Sequence, residues 1–122
     1  MAKEKEKKFR WFKIFSSLEE MQNNVAFRKT TSLQVDGKKI CLVHGLDGFY
    51  AVRDKCPHNG FPLSAGYCTD VNSIVCPVHR YHFDLKTGKA LSGMATKVET
   101  FPIEVSDKGV FLGVEEFNWW PF

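Results

Sequence analysis

The sequence lacks any apolar run long enough to cross a bilayer. No hydrophobic stretch approaches the roughly 18 residues that a membrane helix needs. No apolar segment follows the charged N-terminus, so the sequence predicts neither a membrane span nor a secretory signal. A stripe of basic residues interleaved with aromatics is also missing, which argues against a nucleic-acid-binding surface. We therefore expect a soluble cytoplasmic protein.

The excess of positive charge is small as well. Seventeen Lys and Arg against fourteen Asp and Glu give a formal charge of +3, and much of this excess lies in a charged tail at residues 1–8. A length of 122 residues suits about one domain. With 43% hydrophobic residues, the chain can form a packed core without disulfide bonds. We predict a disordered tail at residues 1–8 and a single domain over residues 9–122.

Cysteine is scarce, with four residues in the chain. In a reducing cytosol such cysteines serve metal binding or catalysis more often than disulfide bonding. Cys41 lies inside the apolar stretch Ile40–Val43, and Cys68 has no ligand-type residue near it, so both are predicted to be structural. Cys56 and Cys76 differ, because each has a histidine two or three positions downstream.

Short apolar segments separated by turn residues predict an all-β fold, a sandwich or barrel. The first strand is predicted at Phe9–Phe15, and Ser17 with Glu20 forms a capping box for a short helical turn. Val98–Ser106 and Val110–Val114 are predicted to complete the larger sheet. Turn signals separate the strands at residues 36–37, 45–48 and 107–109.

Proline and glycine interrupt this pattern from about residue 54 to residue 93. Only two short strands are predicted there, at Ser73–Val75 and Tyr81–Phe83. We interpret this segment as a small metal-binding subdomain inserted between two β segments. The predicted architecture is thus an antiparallel β-sandwich or barrel that carries a cluster-binding insert.

Two matched Cys/His segments within the insert contain the candidate metal ligands. Cys56 and His58 lie in the first, and Cys76 and His79 lie in the second. One Zn²⁺ would accept two thiolates and two imidazoles as a structural staple. A [2Fe–2S] cluster of the Rieske type binds two Cys on one iron and two His on the other. One thiol and one imidazole in each segment favour the cluster, with a zinc-stapled binding module as the alternative.

The segments CPHNGFPLSAG and CPVHRYHFDLKTG resemble the Rieske [2Fe–2S] signature, and the preceding ICLVHGLDGFYAVRDKC is similar to the small soluble Rieske ferredoxins. The resemblance implies one cluster per chain, with Cys56 and Cys76 on a buried iron. It implies that His58 and His79 bind the outer iron, with their ring edges near the surface.

The same resemblance implies a soluble one-electron carrier that has no catalytic residue of its own. Its electron donor would be a flavoprotein reductase, and its acceptor would be an oxygenase, most often of a ring-hydroxylating dioxygenase system, or another redox enzyme. No 2-His-1-carboxylate pattern for oxygen activation is visible in the chain. The alternative within the enzyme class is the small subunit of a nitrite-reductase-like enzyme.

Five positions depart from the pattern of related proteins. Phe61 and Val78 stand where the respiratory members have a disulfide, and Tyr81 and Phe83 stand where those members have Ser and Tyr hydroxyls. Fewer hydrogen bonds to the cluster lower its potential, so we expect about −150 mV, the low end of the Rieske range. Arg80 replaces the usual Gly, and we expect it to change the backbone angle there or to lie beside a partner-docking face.

Three other candidate side chains receive structural interpretations. His44 is predicted to be a packed or surface histidine, His82 to lie exposed or beside a closed four-ligand cluster, and Asp84 to hold a turn. The aromatic end Asn118–Phe122, with Trp119 and Trp120, is predicted to fold over an open sheet edge. The alternative for this end is a docking patch for a partner or a second subunit.

Overall fold

The computed structural model describes residues 8–91 and 96–116. Within these ranges the chain forms one α-helix, one 3₁₀ turn and ten strands. The first half contains β1 (Phe9–Phe15), α1 (Leu18–Asn24), β2 (Thr30–Val35), β3 (Lys38–His44) and β4 (Phe49–Arg53). The second half contains the 3₁₀ turn Leu63–Ala65, β5 (Tyr67–Cys68), β6 (Ser73–Val75), β7 (His82–Asp84), β8 (Thr100–Phe101), β9 (Ile103–Ser106) and β10 (Gly109–Glu115).

The strands form three antiparallel sheets, and the predicted all-β fold is confirmed. The sheets have the orders β1-β10-β9, β2-β3-β4-β8 and β5-β6-β7. We call them the outer sheet, the middle sheet and the cluster sheet. Ser17 is the helix N-cap as predicted, since its hydroxyl accepts the Glu20 N–H at 3.1 Å, but the Glu20 carboxylate accepts the Ser16 N–H and not that of Ser17, so the reciprocal bond of a capping box is absent here. The predicted hairpin turn is also present, and Asp36 and Gly37 are left-handed, with φ of 52° and 76°.

The middle sheet is buried on both of its faces. Along β3, Ile40 and Leu42 pack against the outer sheet and α1, whereas Cys41 and Val43 face the core under the cluster sheet. Successive side chains of a strand point to opposite faces, so a strand covered on both sides reads as a continuous apolar run. The prediction that Cys41 is a core residue is confirmed, because it is fully buried.

The chain changes sheets at Pro102, and the predicted continuous strand Val98–Ser106 is therefore wrong. β8 pairs with β4 in the middle sheet, whereas β9 pairs with β10 in the outer sheet. Proline has no N–H to donate to a neighbouring strand, so the strand is interrupted at Pro102, where the pairing partner changes from β4 to β10. The predicted larger sheet consists of two sheets, joined at this point.

Three predictions about organisation stay open. The charged tail apart from Lys8 and the aromatic end at Trp119–Phe122 lie outside the described residues, as do parts of the predicted domain limits 9–122 and 54–93. Lys8 itself is exposed, and its carbonyl accepts the Glu116 N–H at 2.7 Å. Among residues 8–91 and 96–116, no helix is both long enough and apolar enough to traverse a bilayer.

Candidate metal centre

The first Cys/His segment forms a closed backbone loop, residues 56–61, which we call loop 1. It follows β4 and rises from the end of the middle sheet. The Cys56 carbonyl accepts the Gly60 N–H at 2.7 Å, and the Cys56 N–H donates to the Phe61 carbonyl at 2.8 Å. These two bonds tie the ends of the loop together around the cysteine.

The second segment, residues 76–81, repeats this arrangement as loop 2 and connects β6 to β7. The Arg80 N–H donates to the Cys76 carbonyl at 2.8 Å, and the Cys76 N–H donates to the Tyr81 carbonyl at 2.9 Å. The two Cys-Pro segments are thus structural repeats as well as sequence repeats. Strand β7 begins at His82, one residue later than predicted.

The fourth residue after each cysteine is left-handed. The value of φ is 80° at Gly60 and 58° at Arg80. Glycine adopts this region freely, whereas an L-residue there costs about 1–2 kcal/mol. The expectation that Arg80 changes the backbone angle relative to related proteins stays a prediction. Within this chain Arg80 takes the same kind of conformation as the glycine in loop 1.

The loops bury both thiols and expose both imidazoles. Cys56 and Cys76 are 1% and 0% exposed, whereas His58 and His79 are exposed. The two imidazole centroids lie 5.7 Å apart, with the rings at 83° to each other. The four candidate residues therefore converge on one site, with sulfur on its inner side and nitrogen on its outer side.

Tyr81 packs its ring beside the rings of His58 and His79. Its ring centroid lies 4.6 Å from that of His58 and 5.8 Å from that of His79. Because loop 1 supplies one histidine and loop 2 supplies the other, Tyr81 contacts both halves of the site. The sequence predicted Tyr81 as the start of a short strand and as a substitution for a hydroxyl donor, but not this ring contact.

Asn59 joins the two loops and was missed from the sequence. Its amide nitrogen lies 3.8 Å from the Cys76 sulfur, and its carbonyl oxygen accepts the Phe61 N–H at 2.9 Å. With the oxygen engaged in loop 1, the amide N–H₂ is the group available to the sulfur of loop 2. An Asn-Gly pair after the ligand-type histidine was the available signal, but it reads as an ordinary turn.

Burial governs the titration of three cysteines. Burial raises the pKa of the Cys56 thiol, and backbone N–H groups of Asn59 and His58 partly oppose this rise. A thiol of this kind stays protonated until a metal displaces the proton. Burial also raises the pKa of Cys41, with the negative charge of Asp54 adding to it, and raises that of Cys68. Neutral buried thiols at positions 41 and 68 agree with the predicted structural roles.

A buried carboxylate, also missed from the sequence, anchors the chain that follows loop 1. Asp54 is 5% exposed and accepts the N–H and the hydroxyl of Ser64, each at 2.7 Å. It also accepts the hydroxyl of Ser32 at 2.9 Å. Ser32 belongs to β2 and Ser64 to the 3₁₀ turn, so Asp54 ties the chain that follows loop 1 to the middle sheet.

The remaining candidates lie outside the site. The His44 ring bonds to the Val25 carbonyl at 2.9 Å and stacks on Phe49 at 4.1 Å, so it is packed as predicted. Asp84 accepts the Thr87 N–H at 2.9 Å, which confirms its turn role. His82 is half-buried on β7, and its side chain is not part of either loop.

The donor set fits a Rieske cluster. Each loop offers one thiol and one imidazole, and each iron of such a cluster takes only two protein donors of one kind. Among the described residues, no three His, Cys, Asp or Glu side chains gather around a single ion position. Because the two sulfurs lie on the inner side and the two imidazoles on the outer side, the donors suit one inner and one outer iron.

Comparison with known proteins identifies the family. The Rieske [2Fe–2S] domain family matches residues 11–102. The 3-phenylpropionate/cinnamic acid dioxygenase ferredoxin subunit of Escherichia coli K12 is 36% identical over 87 residues, covering 70% of this chain and 82% of that protein. The same subunit from Shigella boydii serotype 4 has the same identity and coverage. The chain belongs to the Rieske [2Fe–2S] domain family.

Solved structures agree on the fold. The ferredoxin of carbazole 1,9a-dioxygenase from Nocardioides aromaticivorans IC177 superimposes with a TM-score of 0.67 at 24% identity, over 77% of this chain and 91% of that one. A protein assigned as the small subunit of an NADH-dependent nitrite reductase from Mycobacterium tuberculosis gives a TM-score of 0.74 at 19% identity, over 87% and 96%. These likenesses show that ferredoxins and such subunits share one architecture.

Family membership decides between the two metals considered from the sequence. The cofactor is a Rieske-type [2Fe–2S] cluster, and the chain is a one-electron carrier rather than a catalyst. The predictions of family, fold class and cofactor are confirmed.

We predict that Asp54→Ala lowers the thermal unfolding midpoint of the cluster-loaded protein by about 10 °C. The substitution removes three accepted hydrogen bonds and leaves a half-buried Ser64 N–H without its partner. Circular dichroism gives the midpoint, and bleaching of the cluster should follow it. Glu104→Ala, at an exposed position on β9, is the control and should change the midpoint little. Equal midpoints for the two variants would contradict an anchoring role.

Proposed function

We propose that Cys56 and Cys76 bind the inner iron and that His58 and His79 bind the outer iron. The observation that carries this assignment is the pair of equivalent loops, with both thiols buried and both imidazoles exposed side by side. Cys41 and Cys68, the other two cysteines, lie in strands β3 and β5, outside the loops.

We further propose that the chain carries electrons in the cytoplasm from a flavoprotein reductase to an oxygenase. The supporting observation is the 36% identity to a dioxygenase ferredoxin subunit. The small subunit of a nitrite-reductase-like enzyme is the second candidate, favoured by the likeness of fold.

The cluster and the side chains around it suit electron transfer. The bound cluster supplies one-electron redox chemistry. Exposed His58 and His79 edges allow a partner to approach the outer side of the site, while burial of Cys56 and Cys76 keeps water from the inner side. Two ferric ions, two sulfides and two thiolates sum to zero, so reduction adds a single negative charge. A small change of charge in a partly buried site needs little rearrangement of solvent.

Replacing the ligand cysteines should separate them from the structural ones. We expect Cys56→Ala and Cys76→Ala to abolish cluster incorporation, because each removes a thiolate from the inner iron. Cys41→Ala and Cys68→Ala are the matched controls and should retain full iron and sulfide content. Inorganic sulfide and visible absorbance of anaerobically purified protein give the answer. Normal loading of either loop variant would refute the ligand assignment.

The carrier role is tested by electron counting. Cluster-loaded protein should take up one electron per chain in an anaerobic dithionite titration. With NADH it should be reduced only after a flavoprotein ferredoxin reductase is added, as followed by visible absorbance. Purification from the native host discriminates the alternative: isolation as a fixed subunit of a larger haem-bearing or flavin-bearing chain would support the nitrite-reductase-like reading instead.

The midpoint potential should lie near −150 mV, roughly the low end of the Rieske range. Among the described residues no side-chain hydroxyl donates to Cys56 or Cys76, and the Asn59 amide is the side-chain group near the Cys76 sulfur. Protein-film voltammetry measures this potential. A midpoint above about +100 mV would be incompatible with the proposal.

A further inference from the structure

Two cationic side chains flank the exposed imidazoles. We define the ligand tip as residues 55–62 and 76–81, which include both loops. Lys55 and Arg80 are both exposed on it, the first directly before loop 1 and the second within loop 2. A Cβ built on Gly60 would lie 3.7 Å from Cε of Lys55, so the Lys55 side chain runs along loop 1. Arg80 directly follows His79 in loop 2.

No carboxylate on the ligand tip offsets these cations. Residues 55–62 and 76–81 contain no Asp or Glu. Asp84 is paired with Ser73 at the end of the β6–β7 hairpin remote from loop 2, and Val75 with His82 lies at the near end. Asp54 is buried beneath loop 1 and bonded to the two serines.

Arg80 occupies a position where the backbone alone would favour glycine. Its φ of 58° matches the left-handed turn that Gly60 supplies in loop 1. Within residues 8–91 and 96–116, no ion pair or cation–π contact includes its guanidinium. An arginine that strains its own backbone and forms no such contact has its charge directed to solvent or to a partner.

The bound cofactor does not cancel this charge. With two thiolates and two neutral imidazoles as ligands, the oxidised centre is neutral and the reduced centre carries one negative charge. Lys55 and Arg80 therefore leave the ligand tip positive in both redox states. Phe61 and Val78, 40% and 44% exposed, supply apolar contact area on the same ligand tip.

We propose that the ligand tip selects redox partners with negative charge beside their electron-transfer site, and that Arg80 is a specificity-determining residue. The inference rests on the proposed function, since it requires that electrons pass through the outer side of the site. The partner chemistry is a set of carboxylates beside an apolar patch, complementary to the cations Lys55 and Arg80 and to exposed Phe61 and Val78 on the ligand tip. Such complementarity acts mainly on the rate of association and weakens with salt.

The test uses two small oxidants of opposite charge, ferricyanide and hexaammineruthenium(III). Reduced, cluster-loaded protein is mixed with each in a stopped-flow instrument at low ionic strength. Arg80→Gly removes the cation and leaves the residue best suited to the turn. We expect it to slow oxidation by ferricyanide by about three- to tenfold and to accelerate oxidation by the ruthenium complex. Both effects should shrink at about 0.5 M salt.

Controls separate steering from other effects. Arg80→Lys keeps the charge and should stay close to the parent protein, whereas Lys108→Gln removes a cation from the β9–β10 turn and should change neither rate much. A shifted midpoint potential would move both rates in the same direction, whereas steering moves them in opposite directions. Rates that change together, or not at all, overturn the inference and leave the carrier role intact. If neither oxidant reoxidises the reduced protein, the proposed function fails and the inference fails with it.

Discussion

The site depends on one repeated backbone arrangement. In each loop the cysteine carbonyl accepts the N–H four residues later, and the cysteine N–H donates to the carbonyl five residues later. Because these bonds use only the main chain, they fold both loops in the same way although His58 and His79 lie at different offsets from their cysteines. The arrangement turns the thiols inward and the imidazoles outward. Its single conformational demand is a left-handed fourth residue, which Gly60 meets freely and Arg80 meets under strain.

The middle sheet gives these loops a rigid base. Its β3 strand packs on the outer sheet through Ile40 and Leu42 and on the cluster sheet through Cys41 and Val43. A sheet held from both sides has little freedom to shift, so loop 1 at its end and the cluster sheet that carries loop 2 keep their spacing. Asp54 adds a polar tie between this base and the chain after loop 1. The centre is therefore positioned by packing and hydrogen bonds in a fold without disulfides in its described part.

Much of the site could be predicted from the sequence because its donors lie in short local segments. A loop of six residues contains its own cysteine, histidine and closing hydrogen bonds, so the residue types in order were sufficient. The helix N-cap at Ser17 and the turn at Asp36-Gly37 were predictable for the same reason. Asn59 and Asp54 were not, because their partners Cys76 and Ser32 lie 17 and 22 residues away along the chain. No local pattern specifies such contacts.

The sequence by itself determined the family and the all-β class, and it singled out the candidate donor set, since these follow from residue types at fixed short spacings. Tertiary structure alone decided which cysteines are buried together, how close the imidazoles lie, and that the strand predicted across Pro102 divides between two sheets. The physical reason is that these properties depend on which distant strands pack against one another. Strand pairing is a choice among partners remote in sequence, whereas a turn or a loop closes on its own neighbours.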